Sequence, residues 1–580
     1  MLSTEKGGSM NSESAVKPEV EATEKTEETE HALGRMVVKA RRVADVLKGF
    51  MGTVRVISHH DADGICSAAI IVRALAREGK PFHLSFIKQL YEEDTIELGG
   101  EGNRLTMFLD MGSGQLGTIQ KHLINDSQRV IISDHHQIQG EIVSDNVMHI
   151  NPNEFGIDNN ISGSGMAYLI ARAMNPENKD LSDLAVVGAI GDSQIGAIGP
   201  DWGLMGLNKE ILKDAQNTSK IRVTRGLRIW GRTTRPIHKA LEYSVDPFIP
   251  GVSGSESGAV HFLQELGINM KDENNEWRTL SSLTKKEMKT LTTGIIKERI
   301  GDNRENPDWI LGEVYDLIDK DGLKDANEFA TILNSAGKQG MGYVGVALCL
   351  NNKEYFPMVG DMLKKYRREI GKSLRWVENN MEYRGILRRT ENANYIRAGG
   401  KISETVISNV VSILNRSDFL PATEKDKPIF AFVDTERGDV KVSARASDVA
   451  VDAGLSLKEV VAEAVKGLGG EGGGHAGAAG ASLPKGSEEM FINRLEEILK
   501  KLKETISKAA KEAEDGTTES TGGKDGVRDT VKPEERAERK GSEREEGEGG
   551  SKGREGKAER EAEEGVKKAE GKGLVRYLGS

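Results

Sequence analysis

Among 580 residues only two cysteines occur, Cys66 and Cys349. That is too few for a disulfide framework or a thiolate metal site. Cys66 lies in an apolar run, where a free cysteine reads as a small buried hydrophobe. Such sparing use of cysteine fits a reducing compartment, and the expected location is cytoplasmic. Proline is also scarce, 14 residues against 67 glycines, which argues against a proline-rich linker protein and for glycine loops. Surplus positive charge is missing too. The net charge is −11, so any nucleic-acid surface has to be a local basic stripe rather than a property of the whole molecule. No stretch approaches the ~18 apolar residues of a membrane span, and the acidic N-terminus has no apolar signal core, so no membrane association is expected.

Apolar residues make up only 37% of the chain, which suggests that part of it does not fold. Residues 1–31, rich in Glu, Ser, Thr and Lys, have almost nothing to bury and are expected to be disordered. The same holds for 507–580, where no Leu, Ile, Met, Phe, Trp or Tyr occurs between Ile506 and Leu574. Between the tails there is room for two or three folded units. Helical spacing of Met36, Val37, Ala40, Val43, Ala44 and Leu47 opens the patterned region. Strands are then expected at 54–58, 105–109 and 130–133, with a helix at 65–76. Such alternation points to a mostly parallel sheet covered by helices. We place a first α/β unit at 32–245, a helical or linking region at 246–330 and a smaller mixed α/β unit at 331–506. In the last unit strands are expected at 344–350, 429–433 and 440–444, before an amphipathic helix at 488–502.

Four polar clusters follow expected strands or close an apolar segment. They are His59-His60-Asp61-Ala62-Asp63-Gly64, Asp110-Met111-Gly112-Ser113-Gly114, Asp134-His135-His136 and Gly191-Asp192-Ser193. The carboxyl ends of parallel strands form the ligand crevice of an open α/β sheet, so clusters at three strand ends would converge. Carboxylate oxygens and imidazole nitrogens suit Mn²⁺ or Mg²⁺. Several carboxylates in one crevice would repel unless divalent cations neutralised them, and a pair of such cations could activate water and clamp a phosphoryl group. A single Asp-x-Asp-Gly is ordinarily a turn. Four such clusters in order are hard to obtain from turn chemistry alone.

These clusters resemble the four ordered motifs of the DHH phosphoesterase family, and with the C-terminal motifs the resemblance covers roughly residues 40–500. The form Asp110-Met111-Gly112-Ser113-Gly114-Gln115 and the segment 243–254 are similar to archaeal RecJ-like proteins. The resemblance implies that Asp61, Asp63, Asp110, His135 and Asp192 ligate two divalent cations. His136 would face the scissile phosphate, His59 would complete the metal shell or contact substrate, and Asp134 would orient a histidine. The run Gly472-Gly473-Gly474-His475-Ala476-Gly477-Ala478-Ala479-Gly480 resembles the glycine–histidine motif of the DHHA1 domain, and Ser443 and Arg445 match its substrate-binding strand. Ser443, Arg445, Gly473, Gly474 and His475 would then hold a phosphate of the substrate. The implied fold is α/β, a mostly parallel-sheet DHH domain plus a smaller mixed α/β DHHA1 domain, with the active site in the cleft. The implied activity is that of a metal-dependent, RecJ-like exonuclease degrading single-stranded DNA or RNA in repair or replication. The alternatives are a phosphodiesterase for oligoribonucleotides or cyclic dinucleotides, and a GINS-binding replication scaffold with residual nuclease activity.

Three further features bear on partners. Residues 220–239 lie in a stretch, between Asp214 and Glu242, with seven Lys/Arg and no acid, and Trp230 sits in the middle. This is either a groove for single strands, where cations track phosphates and an aromatic stacks on bases, or a solvated face with one buried Trp. Residues 364–368 (Lys-Lys-Tyr-Arg-Arg) read as a helix surface. The spacing of Leu574, Tyr577 and Leu578 weakly resembles a sliding-clamp-binding peptide without its glutamine, and a terminus with no role reads equally well. Single-stranded nucleic acid and, through the family resemblance, the GINS complex are the other expected partners.

Overall fold

A computed structural model of the protein describes residues 17–157, 161–195, 203–244, 247–302, 306–320, 322–381, 386–416 and 426–518. The peptide at 571–580 and most of both expected tails lie outside these residues. The first sheet comprises β1 (Val54–His59), β2 (Phe82–Ile87), β3 (Leu105–Leu109), β4 (Arg129–Ser133) and β5 (Val147–Ile150). It is parallel throughout, in the order β2-β1-β3-β4-β5. β3 is buried along its whole length and β1 along all but its last residue, as expected of parallel strands covered on both faces. The chain runs from β1 outward to β2 and then crosses to the other side of β1 for β3. The carboxyl ends of β1 and β3 therefore flank the point where strand order reverses, the usual ligand crevice of such sheets.

Helix Ala62–Arg77 follows β1. Asp61 caps it by accepting the Gly64 N–H at 3.0 Å. Every residue from Ala62 to Val72 is buried, because helices Gly163–Met174 and Ser182–Gly191 pack against it. The N-terminal helix spans Lys17–Gly49, reaching back into the acidic segment expected to lack structure. Its buried residues include Met36, Ala40, Val43, Ala44 and Leu47.

Two expectations are corrected. Residues 344–350 do not form a strand: Gly342–Cys349 is a helix. A short apolar run cannot be told from a buried helix by periodicity. Here Gly345 lies against Ile65 and Leu333, so small residues let one helix sit on another. The unit boundaries also move. β6 (Ile221–Leu227) pairs antiparallel with β7 (Leu311–Leu317), and the residues between them build a separate core that includes Ile237, Leu263 and Ile295. The chain then rejoins the first core through Phe329, Leu333, Val344 and Met362. Residue 331 is therefore inside the first unit.

Helix Phe356–Asn380 leads to the second sheet, which holds β8 (Leu387–Arg389), β9 (Asn394–Gly399), β10 (Ile429–Asp434), β11 (Val440–Arg445), β12 (Glu471–Gly474) and β13 (Ala478–Leu483). Its order is β12-β13-β11-β10-β9-β8, with only β9 and β10 parallel. One face packs on helices Leu457–Val465 and Glu488–Thr518, the other on helix Ile407–Arg416. The glycine run is thus a hairpin rather than a loose loop, turned through His475, whose N–H donates to the Ala478 carbonyl at 2.7 Å. Among the described residues no helix is long and apolar enough to cross a membrane.

Candidate metal centre

Five carboxylates and three histidines meet at the carboxyl edge of the first sheet. His59 ends β1, and its Nδ1 lies 3.1 Å from Asp61 and 3.5 Å from Asp110. Asp110 follows β3 with φ 57°, a left-handed turn that aspartate tolerates better than most residues. His135 follows β4, and its Nε2 stands 3.3 Å from Asp110, 3.6 Å from Asp192 and 3.8 Å from Asp63. Asp192 closes helix Ser182–Gly191.

The donor atoms form three overlapping triads: His59, Asp61 and Asp110; Asp63, His135 and Asp192; Asp110, His135 and His136. Asp110 and His135 each belong to two of them. Both Asp110 oxygens, His135 Nε2 and His59 Nδ1 are buried without a hydrogen-bond partner among the described residues. Buried polar atoms are rarely left so, and these converge on the same space. Electrostatics point the same way. Burial, then the neighbouring Asp110 and Asp192 carboxylates, push Asp63 well above the usual carboxylate range. Burial likewise raises Asp192. Against the cost of burial, Asp192, Asp110 and Asp63 raise His135, and Asp61 and Asp110 raise His59. So many acids drawing protons toward themselves make a site that divalent cations would relieve. Oxygen and imidazole donors without thiolate fit Mn²⁺ or Mg²⁺.

Asp134 differs from the other acids because its lone pairs are taken. It accepts from the backbone N–H groups of Ser113, His135 and His136 and holds His136 Nδ1 at 2.7 Å. The His136 ring is thereby fixed facing a cleft of about 870 Å³ between the two sheets. Across that cleft stand Ser443, Arg445, Gly474 and His475, with His475 Nε2 4.0 Å from Asp192. Arg445 donates to Ser412 Oγ at 2.8 Å, and Ser443 Oγ to Ser408 Oγ at 3.1 Å. Gly473 is placed differently: it pairs with Gly480 within the hairpin, off the cleft wall.

Several neighbours escaped the sequence reading. Gly163 and Ser164 N–H groups, at the start of helix Gly163–Met174, donate to Asp63 at 2.6 and 3.0 Å. Ser162, the N-cap, gave the only signal for them. Gln194 donates to Asp192 at 2.9 Å, lies 3.2 Å from His135 Nδ1, and is itself held by Asn208. Lys338 and Lys441 join Arg445 on the cleft wall. The basic segment at 220–239 is mostly not a free stripe. Lys220 pairs with Asp319, Arg222 with Asp316, Arg232 with Asp316 and Asp325, and Lys239 with Glu242 and Glu256. Arg228 caps the Trp309 carbonyl.

Comparison with known proteins agrees with this geometry. Residues 53–190 match the DHH family N-terminal domain, 229–308 the DHH-CID domain and 392–508 the DHHA1 domain. An uncharacterized protein of Methanocaldococcus jannaschii is 33% identical over 467 residues, 79% of this chain and 96% of that one. The single-stranded-DNA-specific exonuclease RecJ of Thermus thermophilus is 27% identical over 202 residues, 33% of this chain but only 28% of that protein. The fold is shared with CDC45 from Entamoeba histolytica at TM-score 0.54 and 10% identity, over 80% of this chain and 99% of that one. The protein belongs to the DHH/DHHA1 family of RecJ-like proteins.

Proposed function

We propose that the protein is a metal-dependent phosphodiesterase that acts as an exonuclease on single-stranded nucleic acid. The observation that carries this reading is the pair of triads, His59–Asp61–Asp110 and Asp63–His135–Asp192, beneath a cleft whose opposite wall is cationic. Two divalent cations bound there would supply Lewis acidity toward a phosphodiester and lower the pKa of water at neutral pH. The chain's own groups divide the remaining work. Asp134 orients His136 toward the scissile phosphate. Arg445, with Ser443 beside it and His475 opposite Asp192, holds the neighbouring phosphate from the second domain, so the substrate is gripped from both sides. A cleft walled by two domains admits one strand more readily than a duplex, and the RecJ relative is itself single-strand-specific by name.

The test is digestion of end-labelled single-stranded DNA and RNA with Mn²⁺, Mg²⁺ or EDTA. Hydrolysis should require the metal, and Asp63→Ala or Asp110→Ala should lower it by at least about 10³-fold, a loss of several kcal/mol of transition-state stabilisation. Activity that survives EDTA, or survives both substitutions, refutes the reading.

A further inference from the structure

Two arginines of the described residues stand together without a carboxylate partner. Arg235 lies 4.0 Å from the centre of the Trp230 ring, and Arg367, from the helix Phe356–Asn380, lies 5.0 Å from it. Arg235 is also 4.7 Å from the ring of Tyr243, which is 54% exposed. The stack is built in. Trp230 Nε1 donates to Thr331 Oγ1 at 3.0 Å. Gly231, with φ 85°, lets the Arg235 chain fold back, since a Cβ there would meet Arg235 Cδ at 2.6 Å. Of the nearby acids, Glu242 is paired with Lys239, and Glu328 accepts from the Thr233 N–H at 2.8 Å. Neither forms an ion pair with either arginine among the described residues.

Adjacent, half-buried guanidiniums repel. Burial, then Arg367, pulls Arg235 down to about 10, against the opposing pull of Tyr243, Glu328 and Glu242. An arrangement that costs stability in the empty protein is relieved by an anion. Guanidiniums stacked on an aromatic face still present their N–H edges, which suit the oxygens of phosphate. Position says which phosphate. Thr331, Asn334 and Lys338 follow one another on one face of helix Ala326–Lys338, and the last two line the catalytic cleft. About 4.5 Å of helix therefore separates Asn334, at the cleft, from Thr331 beneath the Trp230 stack.

We propose that Arg235 and Arg367, stacked on Trp230, clamp an internal phosphate of a single strand that leaves the cleft along this helix face. The proposal rests on the nucleic-acid reading above and names the surface that would hold the strand beyond the reacting end. The strand's next base would find the exposed face of Tyr243 for stacking.

The test is binding by the full-length protein in EDTA, where hydrolysis is absent. Labelled oligothymidylates of about three and about twelve nucleotides bracket the reach of the clamp. For the long strand, R235A/R367A should weaken binding about tenfold or more. It should also flatten log K against log salt by about 0.7, the contribution of one phosphate contact on a single strand. The short strand should bind parent and variant alike. R235K/R367K, which keeps charge but loses the planar fork, should restore most of the slope. A thermal melt confirms that each variant is folded. An unchanged slope for the long strand overturns the clamp, and so does an equal loss for both lengths. Inorganic phosphate that binds the parent but does not compete with the long strand also counts against it. Hydrolysis with an unchanged slope would leave the exonuclease reading standing and remove the clamp. An Arg-dependent slope without hydrolysis would do the reverse.

Discussion

The carboxylates of the candidate metal centre are packed against residues with no side chain. A Cβ added at Gly188 would lie 2.0 Å from Ser164 Oγ and 2.4 Å from Asp63 Oδ1, and one at Gly163 would lie 2.6 Å from Asp110 Oδ1. Helices Ser182–Gly191 and Gly163–Met174 can approach the ligands only because those positions are bare. Gly188→Ala should therefore push Asp63 aside and weaken Mn²⁺ binding by about 10- to 100-fold, as loss of an outer support for a ligand does. Titration calorimetry would read this directly, and unaltered affinity would show that the helix simply shifts. Lys338 makes a second prediction at this scale. Burial, then Lys441 and Arg445, pulls its amine down to about 7, while Asp61 opposes the shift. A lysine with a depressed pKa is cationic in the folded protein only below that value. Its help in holding a phosphate should be fully present below about pH 7 and fade as pH rises through it. One lost charge-assisted hydrogen bond is worth on the order of tenfold. Dissociation constants for a short oligonucleotide between about pH 6 and 9 should show this fall in the parent, and Lys338→Met should lack the part due to Lys338.

At the scale of elements, the β12–β13 hairpin carries His475 to the cleft, and β11 carries Ser443 and Arg445 beside it. Neither element supplies a donor to the metal triads. Arg445→Ala should accordingly raise KM about 10-fold or more, leaving the number of bound metal ions unchanged. Loss of an ion in that variant would reassign the residue. The same elements show what was legible in the sequence. Strand ends carrying acids and histidines could be found because buried strands read as apolar runs and the polar clusters of the candidate site sit at the next position. Residues 344–350 read wrongly, since their partner, helix Ala62–Arg77, is nearly three hundred residues away in sequence and burial on all sides erases the helical period. The 220–239 segment could not be resolved either. Its acids, among them Asp316, Asp319 and Asp325, come from β7 and the turns after it, beyond the intervening inserted unit. Arg235 is not held by these acids, and its companion Arg367 comes from a helix that read as plain surface.

Among the described residues, the units built on the first and second sheets, apart from the unit inserted between β6 and β7, meet largely through polar contacts. Helix Phe356–Asn380 belongs to both, burying Met362 and Leu363 in the first core and Tyr366 and Val377 in the second. Domain boundaries drawn at composition changes missed this, because a bridging helix has the same amphipathic pattern as any other. Elsewhere the contacts between the units include Lys88–Glu404 at 2.7 Å, Arg437–Asp94 at 3.2 Å, Arg437 over the Tyr91 ring at 4.4 Å, Gln89–Glu471 at 3.4 Å and Lys338 with Asn409. Lys88 and Arg437 are about half exposed. Exposed pairs contribute at most about 1 kcal/mol each and are screened by salt. The cleft should therefore open readily about the bridging helix. Opening would carry Arg445 and His475 away from Asp192 and leave the candidate metal ligands, all on the first unit, undisturbed. Lys88→Glu with Arg437→Glu should enlarge the radius of gyration measured by small-angle scattering at low salt. It should raise KM by up to about tenfold while leaving metal affinity at the parent value. In the parent, salt near about 1 M should reproduce the expansion by screening the same pairs. A radius that stays fixed in both experiments would mean that the bridging helix alone sets the cleft. Phosphate capture by the second domain would then depend on a rigid geometry rather than on closure.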